Sequence, residues 1–329
     1  MRSQASATDS EVRPKGRDIA ASARDFASTH KSKLVLAGVI VFLAIVTTTQ
    51  ASEFFTWNNF QNILVQIAVT GILACGMTLI MVSGGIDLSV GSSVSMTGTA
   101  MALFMSKGLD PVLAVIVGVG IATGVGLING TLAAYAKTHP FIITLGMLTA
   151  LQGGALLISA LPISNIPNSF LSIVNHTVLG LPLIVFVFFC VAIVCHLVLR
   201  TTTFGRRLYA IGGSEPAALL AGIRVRRMKM LVYTFNGVLV GVAAMLLLAV
   251  LSSSEPQMGQ GLELAAIAAV AVGGTPLSGG RGDVYGTLLG VLLLGMIVNS
   301  LTLMSINSNL QYVIQGVVII VAVMAQRGK

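Results

Sequence analysis

The chain of 329 residues is 55% hydrophobic and only 9% charged, with a formal net charge of +8. Soluble domains carry about 25% charged residues, so this composition excludes a water-facing globular surface and points to an integral membrane protein. The basic excess lies outside the apolar runs and reports topology rather than nucleic-acid binding.

Residues 1–33 are polar, of mixed charge and rich in Ala and Ser, and read as a flexible cytoplasmic tail. The first apolar run starts only at Leu34, so no cleaved signal peptide is expected. Ten stretches then approach the length of about 20 apolar residues that crosses a hydrocarbon core. They are 34–50, 61–82, 90–106, 111–136, 140–160, 179–199, 229–251, 262–275, 283–304 and 309–326. The third is diluted by Ser92, Ser93, Ser95, Thr97 and Thr99, and the eighth is short and ends in glycines. With the N-terminus inside and ten alternating spans, the inside segments and their flanks hold 18 of the 19 Lys and Arg, leaving Lys107 alone outside. That bias is what the positive-inside rule requires. The expectation is an all-α integral membrane protein of about ten transmembrane helices with both termini cytoplasmic, residues 34–329 forming one transmembrane domain.

Cys75, Cys190 and Cys195 fall inside apolar spans without metal spacing, so neither a metal site nor a disulfide is implied. Span two ends in "GGIDLSVG", 84–91, and span eight in "GGTPLSGG", 273–280, which agree at five of eight positions. Paired broken segments can mark a transport path, although glycine is common enough here for chance agreement. Gly84 and Gly85 let the backbone leave helical geometry. Asp87 or Ser89 can cap the span that follows, up to Gly91, and a capping role for Asp87 is weighed above substrate binding. Gly273 and Gly274 open the second turn. Gly279, Gly280, Arg281 and Asp283 then form a turn with a capping acid, anchored on the cytoplasmic side by Arg281.

The loop 200–228 is the largest internal cytoplasmic segment, and residues 200–229 hold seven of the Lys and Arg. Arginines that only set topology would suffice near the helix ends, yet the stretch carries "GGSEPAALLAG" in its middle. Gly212 and Gly213 read as a flexible break. Ser214 reads as an N-cap, with Glu215 and Pro216 in the first turn, where an acid and a proline are favoured. Ala217, Ala218, Leu219, Leu220 and Ala221 propagate a short helix that Gly222 ends. A docking element is expected there, with Ala217 and Ala218 at a partner surface and Arg206, Arg207, Arg226 and Arg227 near the lipid headgroups.

The sequence has no G-x-x-x-x-G-K-[ST], no H-E-x-x-H and no G-x-S-x-G, so no catalytic residue, metal or cofactor is expected. Only Asp87 stands close to the membrane interior, Glu263 reading merely as the start of a span. A proton-driven carrier needs titratable groups in mid-span, so any energy for transport is expected from another protein. The polar groups within spans are Gln66, Asn129, Gln152, Asn236, Asn299 and Gln315. Each is a candidate for lining a path, although hydrogen bonding between helices is the commoner use.

The stretches "GGIDLSVGS", "GLINGTLAAYAKTHPFIITLGML", "FGRRLYAIGGSEPAALLAGI" and "VGGTPLSGGRGDVYGTLLGVLLLGMI" resemble the permease subunits of bacterial ATP-binding-cassette sugar importers, in the branch for ribose, xylose and galactose. The resemblance runs from about residue 60 to 325 in family order. It implies ten spans in the bacterial inner (plasma) membrane, a second permease copy as homodimer or close heterodimer, a cytoplasmic ATPase and an extracytoplasmic sugar-binding protein. It also implies that Glu215, Ala217, Ala218 and Gly222 belong to a coupling helix, with Pro216 inserted and Ser214 where the branch often has Asn. The rival expectations are a secondary carrier of small polar solutes working alone, and a membrane enzyme or scaffold.

Overall fold

A computed structural model describes residues 31–320 except 137, 175, 308, 312, 315, 318 and 319. The expected tail up to residue 30, the candidate Gln315 and much of the tenth span lie outside the described residues. The first helix, α1, runs Lys31–Gln50, so it begins three residues inside the stretch read as tail. It is followed by a 3-10 turn, Ser52–Phe55. Then come α2 (Trp57–Val82), α3 (Val90–Ser106), α4 (Pro111–Tyr135) and α5 (Pro140–Ile158). A short α6 (Asn168–Val174) precedes the two-residue strands β1 (Thr177–Val178) and β2 (Leu181–Pro182), which pair antiparallel. The chain continues as α7 (Leu183–Thr201), α8 (Thr203–Gly213), α9 (Glu215–Leu220), α10 (Val225–Leu251), α11 (Leu262–Val272) and α12 (Val284–Leu303).

Helix starts follow local chemistry. Asp110 Oδ1 accepts from the N–H groups of Val112 (3.0 Å) and Leu113 (3.2 Å), and Pro111 occupies the first helical position of α4. Proline there gives up an N–H that would be unpaired in any case. Thr56 caps α2 through Asn59 N–H, and Thr202 caps α8 through Gly205 N–H.

Among the described residues seven helices, α1, α2, α4, α5, α7, α10 and α12, are long and apolar enough to cross a membrane. Two further apolar helices are shorter, the 17-residue α3 and the 11-residue α11. Burial explains α3: Ser92, Ser93, Ser95, Thr97 and Thr99 are all buried, so the helix sits within protein and has no need of a lipid-compatible surface. The outer layer is the reverse. Along the apolar window of α1 only 11% of residues are buried, against 83% for α2.

The bundle closes through small residues. Gly126 of α4 faces Gly237 of α10, where a Cβ built on Gly126 would lie 3.0 Å from the Gly237 Cα, while Gly130 lies against the Met230 backbone and Gly241 against the Val119 backbone. Two glycines four apart on each helix bring the backbones into contact, which is how apolar helices associate where lipid removes the hydrophobic drive. Polar groups inside the bundle pair with each other. Asn59 Nδ2 donates to Asn299 Oδ1 at 3.1 Å and Asn299 Nδ2 donates back to Asn59 Oδ1 at 2.8 Å. Near one end, Lys33 Nζ meets Asp283 Oδ2 at 2.6 Å, tying α1 to the start of α12.

Candidate functional site

The two glycine turns leave their helices by the same mechanism. After α2, Gly84 has φ +80, Gly84 N–H donates to Met81 O (2.9 Å) and Gly85 N–H to Ile80 O (3.0 Å). After α11, Gly274 has φ +98, its N–H donates to Ala271 O (2.9 Å) and Thr275 N–H to Val270 O (3.2 Å). Each is a left-handed helix exit with paired reverse hydrogen bonds, which glycine adopts without strain. Gly84 therefore corresponds to Gly274, while Gly273 is still right-handed with φ −65. The sequence match aligns Gly84 with Gly273 and is one residue out of structural register. The first exit leads into α3 within a few residues, whereas the second runs on through 275–283 before α12.

The turns touch each other. Gly280 N–H donates to Val82 O at 2.9 Å, and a Cβ built on Gly279 would lie 2.7 Å from Gly84 N. A third glycine pair enters the same point. A Cβ on Gly212 would overlap the Val82 carbonyl and stand 2.5 Å from Gly280 N, and one on Gly280 would lie 3.1 Å from Gly212 O. Gly212 and Gly213 are the last residues of α8, not a flexible break; the chain bends one residue later, at Ser214 (φ −164, ψ 107). Tyr209 Oη adds a second tie, donating to Gly282 O at 2.6 Å. Backbone thus meets backbone where the segment 200–228 reaches both turns. Arg281 is exposed beside this junction.

Asp283 caps α12, accepting from Gly286 N–H at 2.8 Å. Partial burial pushes its carboxyl pKa up, but the Lys33 ammonium and the Gly286 N–H outweigh that and hold it below the ordinary carboxylate value.

In the loop, α8 buries Gly205, Leu208 and Ile211. Ser214 Oγ caps α9 by accepting from Ala217 N–H (3.3 Å), Glu215 pairs with Lys229 (2.7 Å), and Gly222 follows with φ +78. Ala217 is exposed, but Ala218 is only 3% exposed. The expectation that both alanines face a partner is therefore corrected at Ala218: neighbours along a helix point about 100° apart, and Ala218 is the residue turned toward this chain. The outward face carries Leu219 (55% exposed) and Leu220 (92%). Arg206 Nη1 donates to Thr201 O, and Arg226 stacks on the Tyr135 ring at 5.3 Å.

Behind the first turn lies a buried polar cluster. Asp87 Oδ1 accepts from Ser89 N–H (2.9 Å), Ser89 Oγ (2.7 Å) and Asn129 Nδ2 (3.5 Å), and Asn129 Nδ2 also donates to Ser89 Oγ (2.7 Å). Tyr233 Oη and Thr144 Oγ1 donate to Ile86 O at 3.0 and 3.3 Å. Asp87 therefore organises the turn ahead of α3. Ser89 occupies the N-cap position, but its side chain makes no cap bond.

Glu263 is the residue that hydropathy concealed. It is 8% exposed, Oε1 accepts from Gly261 N–H at 3.2 Å, and Oε2 occupies the space a side chain on Gly91 would need. Gly259 N–H donates to Ser95 Oγ (2.9 Å) and Ser254 Oγ to Thr99 Oγ1 (3.0 Å), so residues 254–259 run antiparallel along α3. The starts of α3 and α11 consequently abut inside the bundle, with a carboxyl between them. The only sequence signal was length: 11 residues span ~16 Å, too little to cross a bilayer from one face. Asp87 and Glu263 are both buried, Asp87 just ahead of α3 and Glu263 in the first turn of α11, so neither stands in the middle of a helix.

The candidate path amides separate. Gln66 lines a cavity of about 350 Å³ with Thr70, Gln260, Leu264 and Leu294. Gln152 Nε2 donates to Pro256 O (3.0 Å), Asn299 is held by Asn59, Asn129 serves the Asp87 turn, and Asn236 is buried beside Gly76. Among the described residues no group of three or more His, Cys, Asp or Glu is placed to hold a metal.

Seven apolar helices packed around buried, discontinuous segments describe a polytopic α-helical membrane protein. Residues 59–323 match the family described as branched-chain amino acid transport system / permease component, and the chain belongs to that family. It is a transmembrane permease of the ABC-transporter class, a multi-pass protein of the cell membrane. It is similar to the ribose import permease protein RbsC of Bacillus subtilis (strain 168), with 40% identity covering 89% of this chain and 91% of that one. It is also similar to the probable ABC transporter permease protein YphD of Escherichia coli (strain K12), with 38% identity over 95% and 94%. Similarity to the D-allose transport system permease protein AlsC of the same strain is 34% over 87% and 89%. No solved structure matches the chain.

Proposed function

We propose that this chain is the membrane-spanning translocation subunit of an ATP-driven importer for a monosaccharide of the ribose or allose type. A separate ATPase docks under α8 and α9, a second permease copy completes the path, and an extracytoplasmic binding protein delivers the sugar. On this reading the chain has ten spans with both termini in the cytoplasm, which would put the 200–228 loop on the ATPase side. The names of the relatives support the sugar class. The observation that carries the coupling role is the glycine junction, which connects the end of α8 to both turns. The cavity beside Gln66, Thr70 and Gln260 supplies the path-lining groups, since its polar side chains face open space.

Reconstitution in proteoliposomes with a partner ATPase and binding protein from the same organism tests this. Uptake of radiolabelled ribose or allose is expected only with ATP and all three components. A stand-alone carrier, which would draw on the buried Asp87 and Glu263, would instead accumulate sugar in vesicles holding the permease alone and follow a proton or sodium gradient. That outcome overturns the proposal. For topology, single cysteines replacing Ser10, Ser214 and Lys329 are expected to be shielded from an impermeant thiol reagent in intact cells, and one replacing Ser169 to react.

A further inference from the structure

The loop 200–228 carries a second feature, independent of ATP coupling. A pocket of about 560 Å³ opens between the start of α8, the end of α9 and the first turns of α10. Arg207, Arg224 and Arg227 line it, and no acidic side chain does among the described residues. Other basic groups of this region are engaged: Arg206 with Thr201, Arg226 with Tyr135 and Lys229 with Glu215. The side chains of the three pocket arginines make no hydrogen bond or ion pair among the described residues. Three exposed guanidinium groups around one hollow repel each other unless an anion joins them, and their planar forks suit phosphate oxygens.

The rest of the lining identifies the source of that phosphate. Phe204, Met228 and Leu231 form an apolar side, and Leu231, on the second turn of a membrane-spanning helix, is 44% exposed. A soluble phosphate has no use for such a wall, whereas a phospholipid places its acyl chain there and its headgroup among the arginines. We propose that this pocket binds the headgroup of one anionic phospholipid of the leaflet next to the loop, with an acyl chain along Leu231.

The test is native mass spectrometry of the purified permease, followed by titration with phosphatidylglycerol or phosphatidylcholine in mixed micelles. Wild type is expected to retain one phosphatidylglycerol per chain and to prefer it over phosphatidylcholine. The variant Arg207→Gln/Arg224→Gln/Arg227→Gln is expected to weaken phosphatidylglycerol by about a hundredfold, each basic group contributing about a factor of five. A charge-matched control, Arg200→Gln/Arg206→Gln/Arg226→Gln, is expected to stay within about twofold of wild type. Should the pocket triple fail to fold, Arg224→Gln and Leu231→Glu singly are each expected to weaken the lipid. Equal loss in both triples, binding of glycerol 3-phosphate as tight as that of the lipid, or loss of ATPase association with phosphatidylglycerol binding intact would overturn the assignment. The last outcome would give the pocket to an acidic protein surface.

Discussion

Gly280 donates its backbone N–H to the carbonyl of Val82 across 2.9 Å, joining two turns nearly two hundred residues apart in sequence, and Gly212 presses against both partners. A methyl group at 212 would overlap the Val82 carbonyl, a backbone atom that cannot rotate away. Gly212→Ala is expected to lower ATP-driven uptake about tenfold or more, since overpacking costs about 1–3 kcal/mol at such a contact. Gly213→Ala, with nothing within 4 Å of its added carbon, is the control and is expected to transport normally. Uptake into vesicles, normalised to permease level, decides between them; equal rates in the two variants would reject a role for the junction.

A second contact sets the stability of the bundle. Gly91→Ala would overlap both Glu263 Oε2 and the Gly259 carbonyl. The loss is expected at about 1–3 kcal/mol, read as a lower melting temperature in detergent. Glu263→Ala in the same chain is expected to recover it only in part, because the Gly259 carbonyl stays in place. Full recovery would show that the carboxyl alone sets the limit.

The Lys33–Asp283 pair gives a pH dependence with a definite sign. The folded-state pKa of Asp283 lies below its unfolded value, about 3.9. Its stabilisation is therefore complete above that range and is lost as pH falls through the folded value. Both side chains are part-exposed, so the pair is worth no more than about 1 kcal/mol. Lys33→Met is expected to be less stable than wild type at neutral pH, with the difference vanishing as pH falls through the folded value of Asp283, by thermal unfolding at fixed ionic strength. A difference that persists at the acid end would show that the lysine acts through packing.

In α9, burial turns Ala218 away from the partner surface expected for it. Ala218→Asp places a charge inside this chain at a cost of several kcal/mol, so the permease itself is expected at reduced level. Leu220→Asp, at a position 92% exposed, is expected to leave insertion normal and to abolish co-purification of the ATPase. If Leu220→Asp retains the ATPase and uptake, α9 is not the docking face.

Hydropathy located the long helices closely: the span expected at 111–136 is Pro111–Tyr135, and that at 90–106 is Val90–Ser106 despite its five hydroxyls. For the lipid-facing helices it succeeds because lipid demands apolar length, a property of one segment at a time. It could not show that α3 is shielded from lipid, that α11 starts inside the bundle, or that Glu263 fills the gap beside Gly91, since each is a relation between distant segments. The same holds for the amides. Gln66 and Asn299 look alike in sequence, yet one faces a cavity and the other a matching amide. Composition reveals that a polar group exists and leaves its partner unspecified.

The meeting of Gly212, Gly280 and Val82 also sets how motion would travel. Most helix contacts pass through side chains, whose torsions bend under load and absorb small displacements. Here peptide planes press on peptide planes, with no rotamer between them to yield. Such a contact behaves like a rigid pushrod: a shift of the α8 end would arrive at the α2 exit almost undiminished. Separating the surfaces would require breaking the Gly280 N–H bond to Val82 but no repacking of a core. The same absence of side chains that makes these positions intolerant of substitution would therefore make them fast to reset after each cycle.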